Sequence, residues 1–130
     1  MPLMKIDLLS GKTDAELKQL LDLSYQAMLE TLGIPEGDRY QVITQHEPSE
    51  MVVLDTGLGF ERSENKMIFS LTSRPRTTEQ KQAFYRRLVT LLHQELNIST
   101  KDILINFVIN DDEDWSFKDG EAQFLTGELS

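Results

Sequence analysis

Three pairs of residues recur at one fixed spacing, and that spacing restricts the fold more than any other feature of the chain. Thr13 and Thr77, Glu16 and Gln80, and Gly33 and Asn97 are each 64 positions apart in a sequence of 130 residues. Each threonine opens a Thr-x-x-Glu or Thr-x-x-Gln pattern, in which two side chains satisfy free N–H groups in the first turn of a helix. Glycine and asparagine both tolerate positive φ, so two helices are expected to stop by the same device. Between these signals lie apolar stripes at helical spacing, Leu17, Leu20, Leu21, Met28 and Leu32 in one half and Phe84, Leu88, Leu91, Leu92 and Leu96 in the other. Helices are therefore predicted over 14–32 and 77–96. Strands are predicted at 3–9, 40–46, 67–73 and 103–109, with a further short strand at 51–54 and a small hairpin within 115–129.

The pattern describes an α+β fold, a duplicated β-α-β unit in a single domain of residues 1–130, with pseudo-repeats over about 2–64 and 66–129. The two strands of each unit should be parallel, joined by a right-handed crossover. Helices then cover one face of one sheet. Strands such as IDLL and ILINFVI are too apolar to leave the other face in water, which implies self-association.

Composition narrows the function. Thirteen basic against twenty-two acidic residues give a formal charge of −9, which argues against nucleic acid or an anionic membrane as partner. The absence of cysteine excludes disulfides, thiolate metal sites and cysteine nucleophiles. No basic leader followed by an apolar run opens the chain and no segment is long enough to span a bilayer, so a cytoplasmic protein is expected. An anionic substrate would need a local cluster of arginines.

Such a cluster exists. Arg74-Pro75-Arg76 ends the third long strand, where residues at i and i+2 project the same way. Pro75 keeps Arg74 extended. Two guanidinium forks side by side suit a carboxylate, although a solvated arginine pair has the same sequence. Asp38 lies in the loop GIPEGDR, and Asp102 stands 64 positions later. An aspartate there either starts a strand or serves a site, and both readings stay open. Pro2 follows Met1, whose removal is expected, and a terminal proline carries a basic secondary amine in place of an amide. Asp111–Asp114 lack the spaced ligands and glycine of a calcium loop. His46 and His93 have no metal-ligand spacing, and no metal or cofactor is predicted. Trp115 and Phe117 fit either a core or a site.

Taken together, PLMKIDL, DRYQVITQHEPSE, DTGLGFERS, SRPR, DWSF and FLTGEL resemble the tautomerase superfamily over nearly the whole chain, and within it the malonate semialdehyde decarboxylase group. The resemblance implies a tautomerase/MIF-like fold, a four-stranded sheet with two helices on one face, assembled as a homotrimer. It further implies Pro2 and Asp38 as catalytic residues, Arg74 and Arg76 as substrate-binding residues, and Trp115, Phe117, Phe124 and Leu129 as a hydrophobic wall. The implied activity is cofactor-independent decarboxylation of a small 3-oxo acid, with a hydratase side activity. A keto-enol tautomerase or hydratase of another small carboxylate is the alternative enzyme, and a cytokine-like binding trimer the alternative without catalysis.

The protonation of Pro2 would decide between acid and base chemistry. A carboxylate ~5 Å away at an effective dielectric of ~20 contributes roughly 3 kcal/mol, enough to offset one arginine at similar range. Asp38 should thus leave Pro2 largely cationic at neutral pH.

Overall fold

The computed structural model describes residues 1–130 and contains both predicted β-α-β units. The first comprises β1 (Pro2–Leu9), α1 (Asp14–Thr31) and β2 (Tyr40–His46). The second comprises β3 (Met67–Ser73), α2 (Thr78–Leu96) and β4 (Ile103–Ile109). A single four-stranded sheet has the order β2-β1-β3-β4. Pairing is parallel within each unit and antiparallel where the units meet, at β1 and β3.

Both helices begin and end as their sequences dictate. The Thr13 amide donates to Glu16 Oε1 at 2.9 Å and the Glu16 amide donates to Thr13 Oγ1 at 3.2 Å. The same reciprocal pair joins Thr77 and Gln80 at 2.9 and 3.0 Å. Gly33 and Asn97 adopt φ of 65° and 55° just beyond the last helical turns. The helices pack together on one side of the sheet, and Met4, Ile6, Leu8, Phe69 and Leu71 meet Leu20, Met28, Phe84, Leu88 and Leu92 in one core. The opposite face carries no helix. It presents Lys5, Asp7, Ser70 and Asn106 among Leu3, Val42 and Val108, with Val42 49% and Val108 58% exposed. No helix is long and apolar enough to cross a membrane.

Two local expectations are corrected. Residues 51–54 do not form a strand. Met51 and Val53 are buried while Val52 and Leu54 face out, so the alternation is real, but no neighbouring strand completes a ladder. The tail is not a hairpin either. Asp119 and Gly120, both at positive φ, make a tight reversal closed by the single bridge Lys118–Glu121. Buried Gln123 then accepts from the Phe117 amide and donates to the Lys118 carbonyl, both at 2.8 Å, and α3 (Gln123–Thr126) follows, ending at Gly127.

The 64-residue spacing also breaks in one place. It holds for the caps and for the core-facing positions of the outer strands, such as Gln41 and Ile105. In the inner strands the core-facing positions are even-numbered in β1 and odd-numbered in β3. The correspondence there is shifted by one residue, so that the cross-strand pair Pro2–Ser73 at one end matches Leu8–Met67 at the other.

Because the two caps use the same bonds, Thr13→Ala and Thr77→Ala should each lower stability by about 1 kcal/mol, and the double variant by their sum, in urea denaturation.

Candidate active site

Antiparallel pairing sets the start of β1 against the end of β3. Pro2, the first residue of β1, is buried and lies directly opposite Ser73, the last of β3. Arg74 and Arg76 continue from that point. Because β2 runs parallel to β1, the loop from α1 into β2 arrives at the same end and carries Asp38. That loop is held by the Gly37 amide donating to the Tyr25 hydroxyl at 2.9 Å and the Asp38 amide donating to the Pro35 carbonyl at 3.1 Å. A cavity of about 440 Å³ results, bordered by Met1, Asp38, Arg74 and Arg76, with Phe124, Leu129 and Ser130 from the tail.

The Asp38 side chain is 3% exposed, and neither of its carboxylate oxygens accepts a hydrogen bond. The chain's terminal amine, on Met1, lies 3.7 Å from Asp38 Oδ2. Burial pushes this amine down from its ordinary 8.0 to about 6; Arg76 and Arg74 push the same way, and Asp38 opposes them. Burial also raises the Asp38 carboxyl, against the pull of the amine, Arg76 and Arg74. Desolvation thus outweighs the ion pair for both partners. An amine placed here is less readily cationic than the balance of one carboxylate against one arginine suggests, because both arginines act and burial exceeds either.

The guanidinium groups are fixed differently. Arg76 donates from Nε to Ser73 Oγ at 3.1 Å and from Nη1 to the Leu32 carbonyl at the end of α1 at 2.5 Å. Arg74 donates from Nη1 to Asp112 Oδ1 at 3.0 Å and from Nη2 to the Ser130 carbonyl at 3.2 Å, while its Nε is buried without an acceptor. Its guanidinium carbon lies 3.6 Å from the centre of the Phe124 ring.

Of the four residues assigned to a hydrophobic wall, Phe124 and Leu129 border the cavity. Trp115 and Phe117 do not. They stack on each other at 5.5 Å, and Phe117 meets the edge of Phe124 at 5.5 Å, forming a second layer that supports it. Ser73, the Leu32 carbonyl and Asp112 escaped the sequence reading. Asp112 belongs to an acidic run that looked solvated, and its pairing with Arg74 spans a sequence separation no local pattern reveals. His46 instead pairs with Asp7 at 2.7 Å, and His93 Nδ1 lies 2.9 Å from the Ile98 carbonyl at the close of α2.

The other end of the sheet supplies an internal control. Asp102, at the position matching Asp38, is 1% exposed but fully used, accepting from the Ser63 amide at 2.7 Å and the Ser63 hydroxyl at 2.6 Å. Asp102 borders neither space at that end, one of about 360 Å³ beside Leu8, Ser10, Lys12 and Asn65 and one of about 30 Å³ beside Lys12, Met67, Leu96 and Ile98. One aspartate is saturated by the fold, and the other keeps both oxygens free of hydrogen bonds.

Residues 38–118 and 2–61 match two family descriptions, each given as "Tautomerase enzyme". A probable tautomerase of Bacillus subtilis, YrdN, is 45% identical over 99% of this chain and 100% of its own length. A malonate semialdehyde decarboxylase, solved to explain its decarboxylase and hydratase activities, is 48% identical with a TM-score of 0.95, covering 98% of this chain and 99% of that one. A fused 4-OT protein solved as a symmetric trimer shares the fold, with a TM-score of 0.78 at 18% identity over 96% of this chain and 98% of that one.

Two outcomes are expected from these environments. Asp102→Ala should cost about 1–3 kcal/mol in denaturant unfolding, whereas Asp38→Asn should be neutral or stabilising, because its carboxylate is less favourable folded than in water. In the Met1-bearing chain, titration of the terminal amine by NMR should give a midpoint near 6. Asp38→Asn should lower that midpoint further, since the carboxylate is the group that raises it.

Proposed function

The chain belongs to the tautomerase family, and on that premise we propose that it uses an amino-terminal proline to decarboxylate a small 3-oxo acid, converting malonate semialdehyde to acetaldehyde and carbon dioxide. The observation that carries this reading is the buried Asp38 carboxylate, free of hydrogen bonds, facing the chain's amine and two anchored arginines across one small cavity. The 48% identity to a malonate semialdehyde decarboxylase supports the choice of substrate.

Removal of Met1 is the first requirement. While Met1 is attached, the Pro2 nitrogen is a tertiary amide and cannot ionise. After removal it becomes a secondary amine at the start of β1. Arg74 and Arg76 hold the substrate carboxylate and turn it so that the breaking carbon–carbon bond aligns with the carbonyl π system. Pro2, as an ammonium stabilised by Asp38, donates a hydrogen bond to the aldehyde oxygen; in its neutral form it instead attacks the aldehyde carbon and, with loss of water, forms an iminium that water hydrolyses after decarboxylation. Electrons from the breaking bond flow into that sink, carbon dioxide leaves, and the α-carbon takes up a proton. Phe124 and Leu129, supported by Trp115 and Phe117, keep the site poor in water. An Asp38-oriented water would give the hydratase side reaction.

A second reading has its own support. The amine in this cavity is pushed down to about 6 when Met1 carries it, and a neutral amine acts as a base, as keto-enol tautomerisation requires. YrdN is named a probable tautomerase. Either chemistry is compatible with a homotrimer, in which neighbouring copies would cover the helix-free face of the sheet and the exposed Val52, Leu54 and Leu58.

Intact mass should show loss of Met1, and the processed protein should release acetaldehyde from malonate semialdehyde. Pro2→Ala, Arg74→Ala and Arg76→Ala should each reduce release by roughly 100-fold or more. Turnover of phenylenolpyruvate without acetaldehyde release would favour the tautomerase reading, and neither activity in the processed protein would refute both.

A further inference from the structure

We propose that Ser73 is a positioning residue that sets the carboxylate-binding geometry of the two arginines. The inference rests on the reading of Arg74 and Arg76 as carboxylate ligands, and it concerns a residue that touches neither substrate nor product.

Ser73 is fully buried, on the core-facing side of β3, directly across from Pro2. Side chains paired in this way stand about 5 Å apart. Its hydroxyl is used in both directions. It donates to the Arg74 carbonyl at 2.8 Å, which fixes the main chain leaving the strand. It accepts from Arg76 Nε at 3.1 Å. One small group therefore constrains where Arg74 departs and how the Arg76 guanidinium is turned. The Leu32 carbonyl holds Arg76 by Nη1 at 2.5 Å. With two nitrogens anchored, the guanidinium plane is set and Nη2 is left without a protein acceptor, the donor a bound carboxylate can use. Hydrogen bonds to a charged donor are the stronger kind, so a buried serine here holds its arginine more firmly than a neutral partner would be held.

The fold itself does not ask for a hydroxyl at this position. The other end of the same β1–β3 ladder offers the matching pair Leu8–Met67, in which Leu8 stands where Ser73 does. Leu8 is 1% exposed and packs in the apolar core. A polar residue in one of two equivalent core positions, its hydroxyl bonded only to the arginine segment, is placed for the site.

The test uses the processed protein with malonate as a carboxylate probe in calorimetry, alongside kinetics on malonate semialdehyde. Ser73→Ala should weaken malonate roughly tenfold and raise KM by a similar factor, with a smaller change in kcat, because the arginine is misplaced and not lost. Ser73→Thr, which keeps the hydroxyl, should restore most of the affinity. In an Arg76→Ala background, Ser73→Ala should have a smaller further effect, since only its bond to the Arg74 carbonyl is then left to lose. Malonate binding by Ser73→Ala equal to that of the wild type overturns the proposal, as does an equal loss with and without Arg76. If Arg76→Ala abolishes binding while Ser73→Ala does not, the functional reading stands and this inference alone fails. If the processed wild type neither binds malonate nor turns over the substrate, the functional reading fails and this inference falls with it.

Discussion

The antiparallel seam between β1 and β3 is the constraint on which the site depends. Each β-α-β unit alone would bring a strand start and a helix end together, but neither contains a full set of reactive groups. The seam lays the first residue of the chain against the last residue of β3, so Pro2, Ser73, Arg74 and Arg76 converge although more than half the sequence separates them. Parallel pairing of β2 then delivers Asp38 to the same end. Ladder hydrogen bonds and a continuous apolar core hold that convergence, so the polar groups need not assemble themselves.

The cavity concentrates unfavourable electrostatics that the rest of the fold sustains. An amine, a carboxylate and two guanidinium groups share a space from which water is partly excluded, and burial shifts the amine and the carboxyl towards their neutral forms. At the matching end a serine amide and hydroxyl saturate Asp102, and the aspartate borders neither of the spaces there. Two ends built on one plan thus differ in whether their buried aspartate is satisfied.

Most of the fold was legible because it rests on local chemistry repeated twice. The Thr13–Glu16 and Thr77–Gln80 boxes, the positive φ of Gly33 and Asn97 and the apolar stripes are all short-range signals. The strand predicted at 51–54 failed because alternation reports which side chains are buried, not whether another strand lies alongside. The tail failed because the bonds of Gln123, made to a neighbouring turn, decide its path. In the site, Arg74 and Arg76 were legible as a basic pair in an acidic chain, whereas Asp38 was singled out only by the family resemblance, its residue type leaving both readings open. Ser73 and Asp112 were not, since a serine at a strand end and an aspartate in an acidic run carry no mark of their partners. The free carboxylate of Asp38 and the satisfied one of Asp102 are indistinguishable until Ser63 is placed.

The one-residue slip between the inner strands limits how such a protein can be altered. Counted by 64, Ser10 and Lys12 are the positions that answer to Arg74 and Arg76, yet the strand leading to them turns its side chains over by one step. Guanidinium groups transplanted to Ser10 and Lys12 would follow Leu9, which looks away from the helices, where Arg74 follows an inward-facing serine. Counted from inward-facing Leu8, which matches Ser73, the answering positions are instead Leu9 and Gly11, because the segment leading to Thr13 carries one residue more than the segment leading to Thr77. An exchange of side chains between the two rims must therefore choose one of two registers.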